Sequence, residues 1–365
     1  MSSKKKETYT TLEVIGSRLS YGSSLCFRAS RICIWAQRGG AIVTSYKVFG
    51  QTLYTHTAQF PLGLRVNDAS RSLGKAMLDS QTQEKIQKLC KNLDDKSKAR
   101  VHTLLNRCKE AYTQGKEIYT DITLEESEEL EQIGQRFYGD IAQLGYKPYR
   151  YGHYLLPTDF FEISVLWHKH SLDELEASTL AKMKNKDIID VGACVGDSAL
   201  VFQKYTDRHI YAFEPTNENY AFLLQTIELN NTTRIIPIKK ALGASASKGQ
   251  ISVHGGASSL VFDNRTASHD VEIITLDSFV RERNIQVGFI KVDIEGFEQE
   301  FLKGARQTIA EQKPAMLISI YHQASDFFDI KPMIESWNLG YTFKIVKATD
   351  LSLSDEIALF CEVRE

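Results

Sequence analysis

Ile189-Asp190-Val191-Gly192-Ala193-Cys194-Val195-Gly196-Asp197-Ser198 is the stretch on which the fold turns. The apolar run Ile188 to Val191 stops at a glycine, and Ser198 to Tyr205 then has helical spacing. This order predicts a buried strand, a tight loop and a helix. An open α/β sheet binds its ligand at such a junction. Gly192 lets the chain turn sharply and a ligand approach the backbone, and Gly196 opens the helix. Asp197 or Ser198 can satisfy free amides in the first turn.

The loop is not a dinucleotide fingerprint. That motif sets two glycines one residue apart and brings a pyrophosphate to the helix N-terminus. Here Asp190 and Asp197 flank the glycines, and two carboxylates suit a cationic ligand better than a diphosphate. The sulfonium and α-ammonium of S-adenosylmethionine are such cations. Glu214 ends the next apolar run, where an acidic side chain accepts bonds from both ribose hydroxyls. The candidate cofactor set is therefore Asp190, Gly192, Ala193, Val195, Gly196, Asp197, Ser198, Glu214 and Asn219.

Outward from this loop the alternation continues. Strands are expected at Ile210 to Glu214, Ile235 to Ala241, Phe289 to Asp293 and Ala315 to Tyr321. Tyr220, Leu223, Leu224 and Ile227 would share one helix face, and Phe297, Phe301 and Ala305 another. Strands alternating with helices argue for a mostly parallel sheet covered on both faces. Tyr341 to Val346 and Ile357 to Val363 lie close in sequence with no helix read between them, so an antiparallel edge pair is expected. A polar insertion from Ser245 to Val271 reads as small hairpins beside a ligand mouth, with Gly256-Ala257-Ser258-Ser259-Leu260 as part of it.

The first half differs. Residues 1–75 read as a β-rich region, with short strands around Leu12-Glu13-Val14, Cys33-Ile34-Trp35 and Lys47-Val48-Phe49, and turns at Gly39-Gly40 and Gly50. Residues 76–150 carry Ile86, Leu89 and Leu93, then Val101, Leu104 and Leu105, at helical spacing and read as a helical region or linker. The working domain is expected over 151–365. The aromatic run Tyr149-Arg150-Tyr151-Gly152-His153-Tyr154 reads as core or interface packing. No chemical motif marks the first half, which leaves it open to self-association, a protein partner or acceptor selection.

The chain has 365 residues, 42% hydrophobic and 25% charged, enough for a sizeable core. Lys plus Arg is 44 and Asp plus Glu is 46, so net charge gives no reason to expect nucleic acid as partner. No apolar run approaches the ~20 residues of a membrane span. Six scattered cysteines without a CxxC pair disfavour zinc and a disulfide framework, and reduced thiols in the cytoplasm fit better.

With these residues in view, the chain resembles the FkbM family of S-adenosylmethionine-dependent methyltransferases. The likeness is carried by the loop Ile189 to Ser198, by Ala212-Phe213-Glu214-Pro215, by Ile274-Thr275-Leu276-Asp277 and most specifically by Ile290-Lys291-Val292-Asp293-Ile294-Glu295-Gly296-Phe297-Glu298. It begins near Tyr154 and runs to the C-terminus. The resemblance implies a class I, Rossmann-like seven-stranded sheet with helices on both faces, here preceded by an α+β region. It also implies O-methylation of a hydroxyl on a sugar, glycan or secondary metabolite.

An alcohol acceptor must lose its proton, so a general base is expected at the carboxyl ends of the strands. Asp293 and His322 are the candidates, with Glu295 orienting one of them. In a less favoured version Asp293, Glu295 and His322 hold a divalent cation that lowers the hydroxyl pKa. Two readings compete with the enzyme: a degenerate methyltransferase fold kept as a binding or scaffold module, and an NAD-dependent oxidoreductase of related topology. The missing GxGxxG argues against the second.

Overall fold

β1 (Asp187–Val191) forms where Ile188, Ile189 and Val191 follow one another, and all five residues are buried. Such a run suits a parallel strand covered on both faces. The computed structural model describes residues 10–21, 25–36, 41–48, 51–59, 63–145, 148–254, 257–259 and 268–364, with 10–59, 251–259 and 268–269 described by their backbone. Around β1 lie β2 (Ile210–Phe213), β3 (Ile235–Ile238), β4 (Val287–Val292), β5 (Ala315–Ser319), β6 (Tyr341–Lys347) and β7 (Ile357–Val363). Their order across the sheet is β3-β2-β1-β4-β5-β7-β6. Neighbours from β3 to β5 pair parallel, and β7 pairs antiparallel with both β5 and β6. This is the expected Rossmann-like sheet with its antiparallel edge. The strand order reverses between β1 and β4, which opens a crevice at their carboxyl ends.

Side chains alternate between two buried layers, as strand geometry requires. Ile189, Val191, Ile290 and Val292 face one layer, while Ile188, Ala212 and Phe289 face the other. The connecting helices are α1 (Asp197–Phe202), α2 (Asn217–Leu229), α3 (Leu276–Arg283), α4 (Glu298–Gly304), α5 (Arg306–Gln312) and α6 (Ala324–Ser336). On α2 the buried residues are Leu223 and Thr226, whereas Leu224 is 44% exposed, so the expected apolar face is narrower than the sequence suggested. β3 ends at Ile238 rather than at Ala241. It is the edge strand and contains Pro237, which offers no amide to a further neighbour. Ala241 then pairs with Ile273 in a separate four-stranded sheet built from the insertion. Gly256 and Leu260 of the proposed mouth lie outside the described residues.

Residues 10–59 contribute four strands paired antiparallel in chain order. The turns read at Gly39-Gly40 and Gly50 lie outside the described residues. The helices Asp68–Ala76, Thr82–Cys90 and Asp95–Thr113 place Leu73, Leu89, Val101 and Leu105 in the same core as Phe327, Phe343 and Ile345. They pack against α6 and the β6 edge of the sheet. Helix Asp95–Thr113 also covers the free edge of β6. Ile345 N donates to Ser97 Oγ at 3.0 Å, and Arg100 Nη1 donates to Ile345 O at 3.2 Å. An open strand edge exposes unpaired backbone groups, and this helix satisfies a pair of them. Tyr151 packs edge-on against Phe137 at 4.8 Å, as expected of a packing aromatic. No helix among the described residues is long and apolar enough to cross a membrane, and Cys90, Cys108, Cys194 and Cys361 are free thiols.

Candidate active site

The loop after β1 is clamped from two sides. Gly192 N and Ala193 N donate to Phe213 O at 3.1 and 2.9 Å, while Asp293 N donates to Val191 O at 3.0 Å. Gly192 has φ +81°, and a Cβ there would collide with the Asp293 carbonyl. Only glycine accepts both conditions without strain. The loop thus brings the ends of β1, β2 and β4 together. A cavity of about 860 Å³ opens over them.

Six of the candidate cofactor residues line this cavity: Gly192, Val195, Asp197, Ser198, Glu214 and Asn219. Asp190, Ala193 and Gly196 lie behind its wall. Ala193 is core, and Gly196, at φ +89°, starts α1 with its α-carbon turned toward Leu223. Asp190 needs a correction. It is fully buried and sits opposite Lys291 in the sheet register. Lys291 Nζ lies 3.5 Å from Asp190 Oδ1 and donates to Gly192 O at 2.7 Å. Burial works against the lysine charge, but Asp190, Asp293 and Asp197 outweigh it and raise the lysine pKa. Asp190 thus faces Lys291 and does not line the cavity. Asp197 is the loop carboxylate that lines the cavity. Burial pushes its pKa up to about 6, against the opposing amide of Ser198 at 2.9 Å.

Glu214 is held by its neighbours. Its Oε1 accepts from Thr216 N at 2.9 Å and Thr216 Oγ1 at 2.6 Å, and Oε2 accepts from Cys194 N at 3.1 Å. Both lone-pair positions of Oε1 are thus taken, and Oε2 keeps one for a further donor. His170 had no signal in the sequence. It lines the cavity, bonds Ser198 Oγ through Nε2 at 2.9 Å and stacks on Phe202. Burial and the Lys291 charge lower its pKa to about 3, so the ring is neutral. Lys169, His170 and Ser171 all have φ near +55°, strain that persists only where the surroundings enforce it.

The expected catalytic residues do meet. His322 Nε2 lies 3.3 Å from Asp293 Oδ1 and 3.6 Å from Glu295 Oε2. Asp293 and Glu295 line the cavity, whereas His322 stands behind them with 7% of its side chain exposed. A third carboxylate was missed. Glu298 is fully buried, places Oε1 3.0 Å from His322 Nδ1 and accepts the amide of Ile294 at 2.9 Å. Burial disfavours a charged ring, but Glu298, Asp293 and Glu295 prevail and carry the His322 pKa up to about 10. Glu298 stood in the most specific motif, but its inward aim depends on the turn at Glu295 (φ 56°) and Gly296 (φ 93°). Two more acids went unnoticed on the same wall, Glu162 and Glu356. Burial and the charge of Glu356 push Glu162 up, while burial and Asp293 push Glu356 up to about 7. Tyr321 donates to Glu356 Oε1 at 2.9 Å.

The Methyltransferase FkbM domain matches residues 190–343. Among solved structures the chain is similar to the methyltransferase FkbM from Methylobacillus flagellatus KT, with 20% identity and a TM-score of 0.51. That match covers 80% of this chain and 60% of the other, so the chain spans about three fifths of that protein's length. Trm5b from Pyrococcus abyssi is more distant, at 13% identity and a TM-score of 0.35 over 58% of this chain and 54% of its own. No curated protein matches the chain. The sheet order and the glycine loop agree with the matched segment: residues 190–343 are similar to the Methyltransferase FkbM domain.

Proposed function

We propose that the protein transfers a methyl group from S-adenosylmethionine to a hydroxyl oxygen of a sugar, glycan or other small polyol. S-adenosylmethionine, when bound, supplies the electrophilic methyl group. The residues fit it. Glu214 keeps an oriented Oε2 acceptor for a ribose hydroxyl, Asp197 offers a carboxylate to the α-ammonium, and Gly192 lines the cavity without a side chain. Ser198 and Asn219 line the same wall.

The observation that carries the acceptor half is the position of Asp293. Its carboxylate lines the cavity at the end of β4, next to the glycine loop, while His322 stands behind it. Asp293 takes the hydroxyl proton as the oxygen gains the methyl, and His322 holds the carboxylate in place. General bases of this kind contribute about 10²- to 10⁴-fold. The wall formed by Glu162, Asp293, Glu295 and Glu356 opposes a phosphate backbone and suits the hydroxyls of a neutral acceptor. We place the reaction in the cytoplasm, in keeping with the free thiols of Cys90, Cys108, Cys194 and Cys361.

Calorimetric titration with S-adenosylhomocysteine tests the donor site. Wild type is expected to bind it and not NADH, and Glu214→Ala to bind at least tenfold more weakly. Tight NADH binding would restore the oxidoreductase reading, and binding of neither would favour a scaffold.

A further inference from the structure

His322 sits in surroundings that its own protein does not complete. The ring is almost wholly enclosed, three carboxylates surround it, Glu298 faces Nδ1 at 3.0 Å, and Nε2 has no partner in hydrogen-bonding geometry among the described residues. Glu298 is fully buried, and its Oε2 also lacks a hydrogen bond. Buried polar atoms without partners are uncommon and point to something that binds them. The donor atoms of Asp293, Glu298 and His322 all lie within 4.8 Å of one another.

We propose that His322 Nε2, Asp293 and Glu295 bind a divalent first-row cation, with Glu298 behind the ring as its orienting partner. The inference rests on the methyltransferase reading of the same cavity. The Nε2 separation of 3.3 Å to Asp293 fits it, and the 3.6 Å to Glu295 needs only a small shift of a side chain that is 40% exposed. Ligands at about 2.1 Å from one cation lie roughly 3 to 3.5 Å apart. The far nitrogen, Nδ1, faces Glu298 at 3.0 Å. A carboxylate on the far nitrogen of a ligating histidine fixes its tautomer and ring orientation. One nitrogen and two carboxylates, without a thiolate, suit manganese, iron or zinc. Asp293 and Glu295 are both on the cavity wall, so the remaining positions of the cation would face the acceptor. There it would bind the hydroxyl oxygen and make its proton easier to lose. The proton passes to the second oxygen of Asp293, and the hydroxyl oxygen takes the methyl as the sulfur–methyl bond of the donor breaks and S-adenosylhomocysteine leaves.

The test is a manganese titration of the full chain after dialysis against chelator, read by the loss of the free-ion electron paramagnetic resonance signal. Wild type is expected to bind one equivalent. His322→Ala is expected to lose stoichiometric binding, and Glu298→Gln to bind about 10- to 100-fold more weakly. S-adenosylhomocysteine affinity should stay within twofold in both variants, which shows that the fold and donor site persist. Should His322→Ala fail to fold, Asp293→Asn reads the same site. Absence of a bound equivalent in wild type overturns the proposal, as does unchanged binding in the variants. If methyl transfer proceeds while no manganese binds, the cation falls and the enzyme stands. If manganese binds and no methyl is transferred to any acceptor, the reverse holds.

Discussion

The two ends of the cavity treat their carboxylates in opposite ways. At the β1–β2 end almost every charge already has a partner: Asp190 faces Lys291, and Glu214 is held by Thr216 and Cys194. At the β4–β5 end Asp293, Glu295 and Glu298 crowd a single imidazole, with Glu162 and Glu356 close along the wall. The first end is a preorganised cradle whose geometry is set before any ligand arrives. The second holds surplus negative charge, and its order depends on what enters. The difference separates a half whose geometry is fixed, to which we assign the donor, from a half to which we assign the acceptor proton and a cation.

The sharpest break in this contrast is Asp293→Asn. Turnover should fall about 10²- to 10⁴-fold, as for loss of a general base. S-adenosylhomocysteine affinity should hold within about twofold, read by calorimetry on the same preparation. Next is Lys291→Met. It leaves Asp190 buried without a counter-charge, which costs about 3–5 kcal/mol of stability in thermal or denaturant unfolding. Replacing both, with Asp190→Leu, should recover most of that loss, because the pair then leaves no uncompensated charge. Equal loss in single and double variants would show that the pair does more than neutralise itself. Gly192→Ala comes third. Forcing a side chain to φ +81° costs about 1–3 kcal/mol, and the added carbon pushes on the Asp293 carbonyl. Both donor affinity and turnover should drop together, since the loop joins the two ends.

The smallest effect concerns pH. The folded pKa of Asp197 is raised to about 6 from an ordinary 3.8, so the folded state holds a proton there that the unfolded state has released. Its contribution to stability is thus present at acid pH and is lost as pH rises from about 4 to about 6. Donor binding runs the other way, because the ammonium needs the ionised carboxylate. S-adenosylhomocysteine affinity should rise up to tenfold per pH unit below 6 and level off above it. In Asp197→Asn that slope should disappear.

Much of this was legible in the sequence because it is local. The loop Asp190 to Ser198, Glu214 and the block Lys291 to Glu298 each sit at a strand end, and hydrophobic periodicity finds strand ends well. What escaped was set by contacts across the chain. Asp190 reads as a ligand carboxylate until Lys291, a century of residues away, is placed beside it. His170, Glu162 and Glu356 come from segments with no periodic signal, and only tertiary packing brings them to one wall. β3 is shorter than its apolar run suggests because a strand's edge position, and with it the meaning of Pro237, is a property of the sheet. The helices before residue 130 looked like a separate region because their partner, the free edge of β6, lies near the C-terminus.

The most direct test supplies isotope-labelled S-adenosylmethionine and fractionated hydroxyl-bearing acceptors to wild type and to Asp293→Asn. Wild type should leave label in an alkali-stable ether on one acceptor class, and the variant should reduce that label at least about 100-fold. Label on nitrogen or carbon, or undiminished transfer by the variant, would contradict the assignment of Asp293 as base for an oxygen acceptor.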